Sequence, residues 1–209
     1  MASDSYPAEM WQLRGGQAWV FLGRNTLTRP VVLAADTQDG PTDMATVVAG
    51  LDHESYSFLS ALRSRERDLV LVGYGDGKAN LDTNANVVIE CVHRTLATRR
   101  GSAPLTVGGI GRGALMTRYS LAKMENQQLS HETAAYFSYN GAAPLPDEAG
   151  LLQQVGGWPQ LPRRLKAVSG EFKDKLNTDD FDDNNVGAAN SGGPLITEEL
   201  GTWILERLP

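Results

Sequence analysis

The sequence predicts an α/β fold, a mostly parallel sheet with helices on both faces, and three observations predict it. Runs such as Val31-Val32-Leu33 and Leu69-Val70-Leu71-Val72 are apolar at every position, as strands covered on both faces are. Between such runs the period becomes helical: Ala85, Val88, Ile89, Val92 and Leu96 recur at spacings of three and four residues. Third, the stretch 104–125 reads as a buried strand, a glycine turn and an amphipathic helix in direct succession. Alternating strands and helices imply parallel neighbours joined by crossovers.

Taken in order, Ala18–Leu22, Pro30–Ala35, Asp68–Gly73, Leu105–Gly108, Ala134–Tyr139 and Leu165–Ser169 read as strands. Asn80–Thr98 and Ala114–Asn126 read as helices, with Gly108–Gly113 as the turn before the second. Near the C-terminus, Leu200, Trp203, Ile204 and Leu208 make one helical face within Thr197–Leu208. Asn140–Pro146 and the acidic Thr178–Asn190 read as irregular. No repeat and no linker-like tract interrupts the 209 residues, which read as a single domain.

A formal net charge of −6 argues against a nucleic-acid partner or an anionic membrane surface, because tracking phosphates requires a basic excess. The basic groups Arg99-Arg100 and Arg163-Arg164-Leu165-Lys166 are short and read as solvated. The single cysteine, Cys91, excludes an internal disulfide, and its apolar surroundings (Val87 to Val92) predict a buried, inert thiol. Met1–Pro7 shows neither a charged nor an apolar leader region, and no run is long enough to span a bilayer, so the expected setting is cytoplasmic. The expected partner is a small-molecule ligand or substrate, with a homodimer left open and no cofactor required.

Strand, glycine turn and helix are the context of a nucleophile elbow, yet the centre of Gly109-x-Gly111-x-Gly113 has no side chain. Across Val107–Glu125 the chain resembles the lipase and esterase branch of the α/β-hydrolase fold. The matching residues are Gly109, Gly113, Leu115, Arg118, Tyr119, Leu121 and Ala122, continuing through Lys123-Met124-Glu125. Further similar blocks are Arg67–Asn84 and Thr133–Asn140. The resemblance implies that the family's serine falls on Gly111 and that the Arg112 N–H retains its oxyanion-hole role. It implies a second such donor from the segment Ala35–Gly40. It places the family's acid near Asn140-Gly141-Ala142-Ala143 and its histidine near Gly192-Gly193-Pro194-Leu195, where this chain has neither. His53, His93 and His131 fall elsewhere and read as structural or surface residues. The quick passage to Leu151 implies a shortened or absent lid.

Ligands of open α/β sheets gather at the carboxyl ends of strands. The residues expected there are Asp36, Thr37 and Gln38, then Tyr74 and Asp76, then Gly111 and Arg112, then Asn140. Asp36, Tyr74 and Asp76 are the candidate acid–base groups; Thr37, Gln38, Gly111, Arg112 and Asn140 are candidates to hold substrate. Arg112, at a helix start, is suited to clamping a carboxylate or enolate. The plain alternative is that Asp36 and Asp76 are turn acids and Arg112 is solvated. The acids of 179–185 lack the spacing and closing glutamate of an EF-hand and read as solvated, and a dinucleotide site is disfavoured because no ribose-binding acid follows. Three functions remain: a non-hydrolytic catalyst (cyclisation, dehydration or isomerisation), a non-catalytic binding or assembly module, and a hydrolase using an acid-activated water.

Overall fold

The computed structural model describes residues 6–209, and Met1–Ser5, part of the segment read above as lacking a leader, lie outside them. The chain runs through β1 (Glu9–Leu13), β2 (Gly16–Phe21), β3 (Pro30–Ala34) and α1 (Met44–Leu51) to a hairpin of β4 (Asp52–His53) and β5 (Tyr56–Ser57). Then come α2 (Phe58–Arg63), β6 (Asp68–Tyr74), α3 (Leu81–Thr98), β7 (Leu105–Ile110) and α4 (Arg112–Asn126). The last elements are β8 (Thr133–Tyr139), α5 (Pro146–Gln154), β9 (Arg163–Val168), a 3-10 turn (Thr178–Asp180), β10 (Asp183–Val186) and α6 (Glu198–Leu205).

Eight strands form one sheet in the order β1-β2-β6-β3-β7-β8-β9-β10. From β6 to β10 every neighbour pair is parallel, while β2 runs antiparallel to both β1 and β6. The mostly parallel sheet flanked by helices is therefore as the sequence predicts. The continuous apolar runs split between two faces: Val32, Ala34, Val70, Val72 and Tyr74 pack with α3 and α4, whereas Val31, Leu33, Leu69 and Leu71 pack with α1, α2 and α6. On α6, Leu200, Ile204 and Leu205 are buried, each worth roughly 2 kcal/mol in apolar burial.

Several elements differ from the sequence reading. Asp183-Asn184-Asn185-Val186, read as irregular, is strand β10, held in parallel register by β9 (Asp183 opposite Leu165). Tertiary pairing overrides its poor strand propensity, and Arg207 secures Asp183 at 2.7 Å. The glycine turn is shorter than read: Gly108, Gly109 and Ile110 stay in β7, and α4 begins at Arg112, leaving Gly111 as the whole turn. Strand β1, the β4–β5 hairpin and helices α1, α2 and α5 lie outside the elements that the sequence predicts. Helix α1 starts at Asp43, whose carboxylate accepts the Thr46 N–H at 3.1 Å. Its Met44, Val48 and Leu51 then face the core, a stripe that Thr46-Val47-Val48 obscures in the sequence. Among the described residues no helix is long and apolar enough to cross a membrane.

Two carboxylates tie loops and helices to this frame. Asp68, fully buried at the start of β6, accepts N–H groups from Gly23 (2.8 Å), Thr28 (2.7 Å) and Arg29 (2.9 Å), fixing the β2–β3 connection. Asp68→Ala removes the acceptor of all three and is expected to cost about 2–4 kcal/mol in urea unfolding. Between α3 and α4, the Lys123 ammonium at 2.6 Å holds the Asp82 carboxyl below its ordinary value of 3.8. A depressed carboxyl stabilises the fold above its unfolded pKa and loses that contribution as pH falls through the lower folded value. Asp82→Asn is therefore expected to flatten the stability loss below about pH 4, checked by unfolding curves across that range.

Candidate functional site

The parallel register brings the site together. Ala34 on β3 lies opposite Gly109 on β7, so two residues further along each chain Asp36 meets Gly111. Gly111 has φ +56° and ψ −124°, a sharp left-handed turn that L residues adopt only under strain. Its N–H bonds to Tyr139 O at 3.0 Å, and its carbonyl accepts the Ala142 N–H at 3.0 Å. Gly113 has a different reason to be glycine: its Cβ would overlap the carbonyl oxygens of Ala34 and Ala35, where α4 passes close over the end of β3.

A Cβ at Gly111 would lie 2.5 Å from both carboxylate oxygens of Asp36. The Asp36 side chain thus occupies the space that an elbow side chain would enter. Its Oδ1 accepts the Arg112 N–H at 2.8 Å and the Thr37 N–H at 2.9 Å. These are the N–H after the elbow and one from the segment after β3, the two sources from which the resemblance draws oxyanion-hole donors. Asp36 is itself exposed. One carboxylate oxygen therefore takes both of these backbone donors.

Arg112 divides the surroundings in two. Its guanidinium pairs in fork fashion with Glu148, at 3.4 Å for Nη1 to Oε2 and closer for Nη2 to Oε1. Glu148 also accepts the Leu145 N–H at 2.8 Å, closing the first turn of α5, where Pro146 needs no donor. On one side of this pair lies a cleft of ≈ 630 Å³ that includes Thr37, Gln38, Asp39, Lys78 and Asp147. On the other lies one of ≈ 470 Å³ that includes Gly141, Leu145 and Phe172.

Asp36, Thr37, Gln38, Gly111 and Arg112 are thus gathered at one edge, while the side chains of Tyr74, Asp76 and Asn140 are buried or engaged elsewhere. Tyr74 ends β6 but points into the core with Val70 and Val72; only 1% of it is exposed, and burial drives its phenol well above the ordinary range. Its hydroxyl has no hydrogen-bond partner, and nothing in this burial lets it meet substrate as an acid–base group. Asp76 is a turn residue whose Oδ1 accepts the Lys78 N–H at 2.9 Å. Asn140, at φ +48°, clamps Ser169, donating to its Oγ and accepting its N–H, both at 2.8 Å.

Sequence reasoning missed the acid at the end of β9. Glu171 accepts the Ser169 hydroxyl and the Asn190 N–H, each at 2.8 Å, and the Asn190 contact leads the causes that hold its carboxyl below the ordinary range. The loop before α6 therefore meets an acid of the β9–β10 connection through Asn190. The pattern Ser169-Gly170-Glu171 directly after a strand was the available signal. No histidine joins this group. His131 is buried between the Thr133 N–H and Glu125 (3.1 Å each), His53 meets Ser55 at 2.9 Å, and His93 is exposed on α3. Burial pushes the Cys91 thiol up to about 12, the inert state expected. Asp182 accepts the Arg164 N–H at 2.7 Å, so this part of the acidic segment is committed to the fold.

The strand order and the one-residue elbow between β7 and α4 define a class of fold, and comparison with solved structures gives the same class. The chain is similar to Est1E from Butyrivibrio proteoclasticus, with TM-score 0.61 at 9% identity over 92% of this chain and 98% of that one. It is similar to an esterase from Pyrobaculum calidifontis, with TM-score 0.58 at 11% identity over 87% and 75%. Enterochelin esterase from Shigella flexneri gives TM-score 0.56 at 14% identity over 97% and 57%. No protein-family model and no curated protein matches the sequence. The chain has the α/β-hydrolase fold. At these identities the fold is what is shared, and this chain's own elbow residue carries no hydroxyl.

The seating of Asp36 against Gly111 is open to a double-mutant cycle. Gly111→Ala adds backbone strain and steric overlap, with an expected cost of about 2–4 kcal/mol. In an Asp36→Ala background the overlap with the carboxylate is gone, and the cost is expected to drop by about 1 kcal/mol or more in urea unfolding. Strictly additive costs would place the carboxylate elsewhere.

Proposed function

We propose that the protein uses this fold for a non-hydrolytic step on a small molecule, a cyclisation, dehydration or isomerisation, with Asp36 moving the proton. One observation carries the reading: the Asp36 carboxylate stands at the elbow, its Oδ1 held by two N–H groups. No protein donor bonds Oδ2 among the described residues, so one oxygen is fixed and the other is free to take a proton. A base held in place by its partner oxygen needs no search to reach its working geometry. Serine chemistry is disfavoured twice, since Gly111 has no nucleophile and the N–H groups suited to an oxyanion already hold a carboxylate. Thr37 and Gln38 line the larger cleft and Arg112 lines both, so these residues supply the substrate contacts, and Gly111 leaves room for Asp36. The reading places this activity in the cytoplasm.

A second reading, a non-catalytic binding module, draws support from the Arg112–Glu148 pair, because the cation best placed to meet a substrate already has a partner. The third, a hydrolase in which Asp36 activates water, is suggested by the esterase names of the Pyrobaculum calidifontis and Shigella flexneri neighbours and differs in the mass of its product. Incubating a metabolite extract with wild-type protein and with Asp36→Asn, followed by mass spectrometry, separates them. Wild type is expected to convert a compound with loss of water or unchanged mass, and Asp36→Asn to be slower by about a hundredfold or more. Gain of water would favour the hydrolase, and equal rates for both proteins would remove Asp36 from the chemistry. Absence of any conversion would favour the binding module. Gly111→Ser is expected to give no hydrolysis of a nitrophenyl ester.

A further inference from the structure

The smaller cleft beside the elbow has an electrostatic character opposite to that of the protein. The chain carries a formal net charge of −6, yet the charged residues lining this ≈ 470 Å³ cleft are Arg112, Lys173 and Lys175, with no acid among them. The larger cleft across Arg112 mixes Lys78 with Asp39, Asp147 and Glu148.

The arrangement of the two lysines follows from a buried one. Lys166 on β9, 2% exposed, donates to Asp174 Oδ2 at 2.7 Å, to Leu176 O at 3.1 Å and to Thr178 Oγ1 at 2.6 Å. A buried ammonium demands such partners, so the chain after β9 is drawn in around it. Asp174 closes the local turn by accepting the Leu176 N–H at 2.9 Å. With Asp174 committed to Lys166, Lys173 and Lys175 on either side of it line the cleft, and no ion pair engages either of them among the described residues. Two acids are engaged elsewhere, Glu171 by Ser169 and Asn190 and Glu148 by Arg112, while Asp147 of α5 lines the larger cleft. Phe172, Leu145 and Pro144 add an apolar wall.

We infer that this cleft binds a small organic anion, a carboxylate or phosphate head on an apolar body, with Lys173 and Lys175 taking the head and Phe172 and Leu145 the body. This names the substrate class of the proposed site and rests on that reading, since Arg112 and Gly141 join the cleft to the elbow. The volume falls within the range of small-molecule sites. Lysines suit the role, as compact point charges able to meet either head.

The test is isothermal titration of the whole chain with octanoate, octyl phosphate and octanol, repeated with Lys173→Gln/Lys175→Gln. Both lysines are exposed, so the double variant is expected to fold; a circular dichroism melt verifies this. At least one of the two anions is expected to bind about tenfold or more tightly than octanol, to weaken by about tenfold or more in the double variant, and to weaken with added salt. Preference between the anions identifies the head as carboxylate or phosphate. Octanol binding as tightly as either anion, unchanged anion affinity in the folded double variant, or no anion binding at millimolar concentration would each overturn the inference. If anions bind through the lysines while no metabolite is converted, the catalytic reading fails and the inference stands. If Asp36-dependent conversion occurs without lysine-dependent binding, the reverse holds.

Discussion

The site depends on one carboxylate and two backbone donors. Asp36 leaves β3, reaches across to the elbow between β7 and α4, and takes the N–H groups of Thr37 and Arg112 on a single oxygen. That contact exists because β3 and β7 are parallel and in a register that matches Ala34 with Gly109. It is sterically compatible with glycine at 111, since any side chain there would enter the carboxylate. Glycine at 111 and the carboxylate of Asp36 are thus two halves of one arrangement. The tight turn orients the Arg112 N–H toward the Asp36 carboxylate, and glycine at 111 leaves the space that the carboxylate fills.

The surrounding charges follow from where each ion finds a partner. Glu148 satisfies both the first turn of α5 and the Arg112 guanidinium, which anchors the wall between the two clefts. Lys166, buried in β9, claims Asp174 and thereby leaves two neighbouring lysines lining one cleft. An acidic protein can in this way present a local cationic surface where its sequence alternates Lys173, Asp174 and Lys175.

Much of the fold was legible because burial on both faces writes itself into composition. Strands β3 and β6 are apolar at nearly every position, and α3 and α4 carry clear helical stripes. Strand β10 was not legible, since Asp183-Asn184-Asn185-Val186 is a strand by virtue of its partner β9 and the Arg207 anchor. Short helices such as α1 and α2 depend on capping by Asp43 and Ser57 more than on a long apolar period. At the site, Asp36, Gly111 and Arg112 could be read as strand-end residues. Their mutual contact could not, because residues 36 and 111 are joined only by sheet register. Tyr74 shows the converse: its position at a strand end was readable, but the face it points to, and hence its burial, followed from packing against α3.

The most direct test of this account is an NMR pH titration following the Asp36 carboxyl carbon together with the amide protons of Thr37 and Arg112. The account predicts that all three signals move with one shared midpoint, and that both amides lose this titration in Asp36→Asn. Amide protons that ignore the Asp36 carboxyl, or that titrate unchanged in the variant, would contradict it.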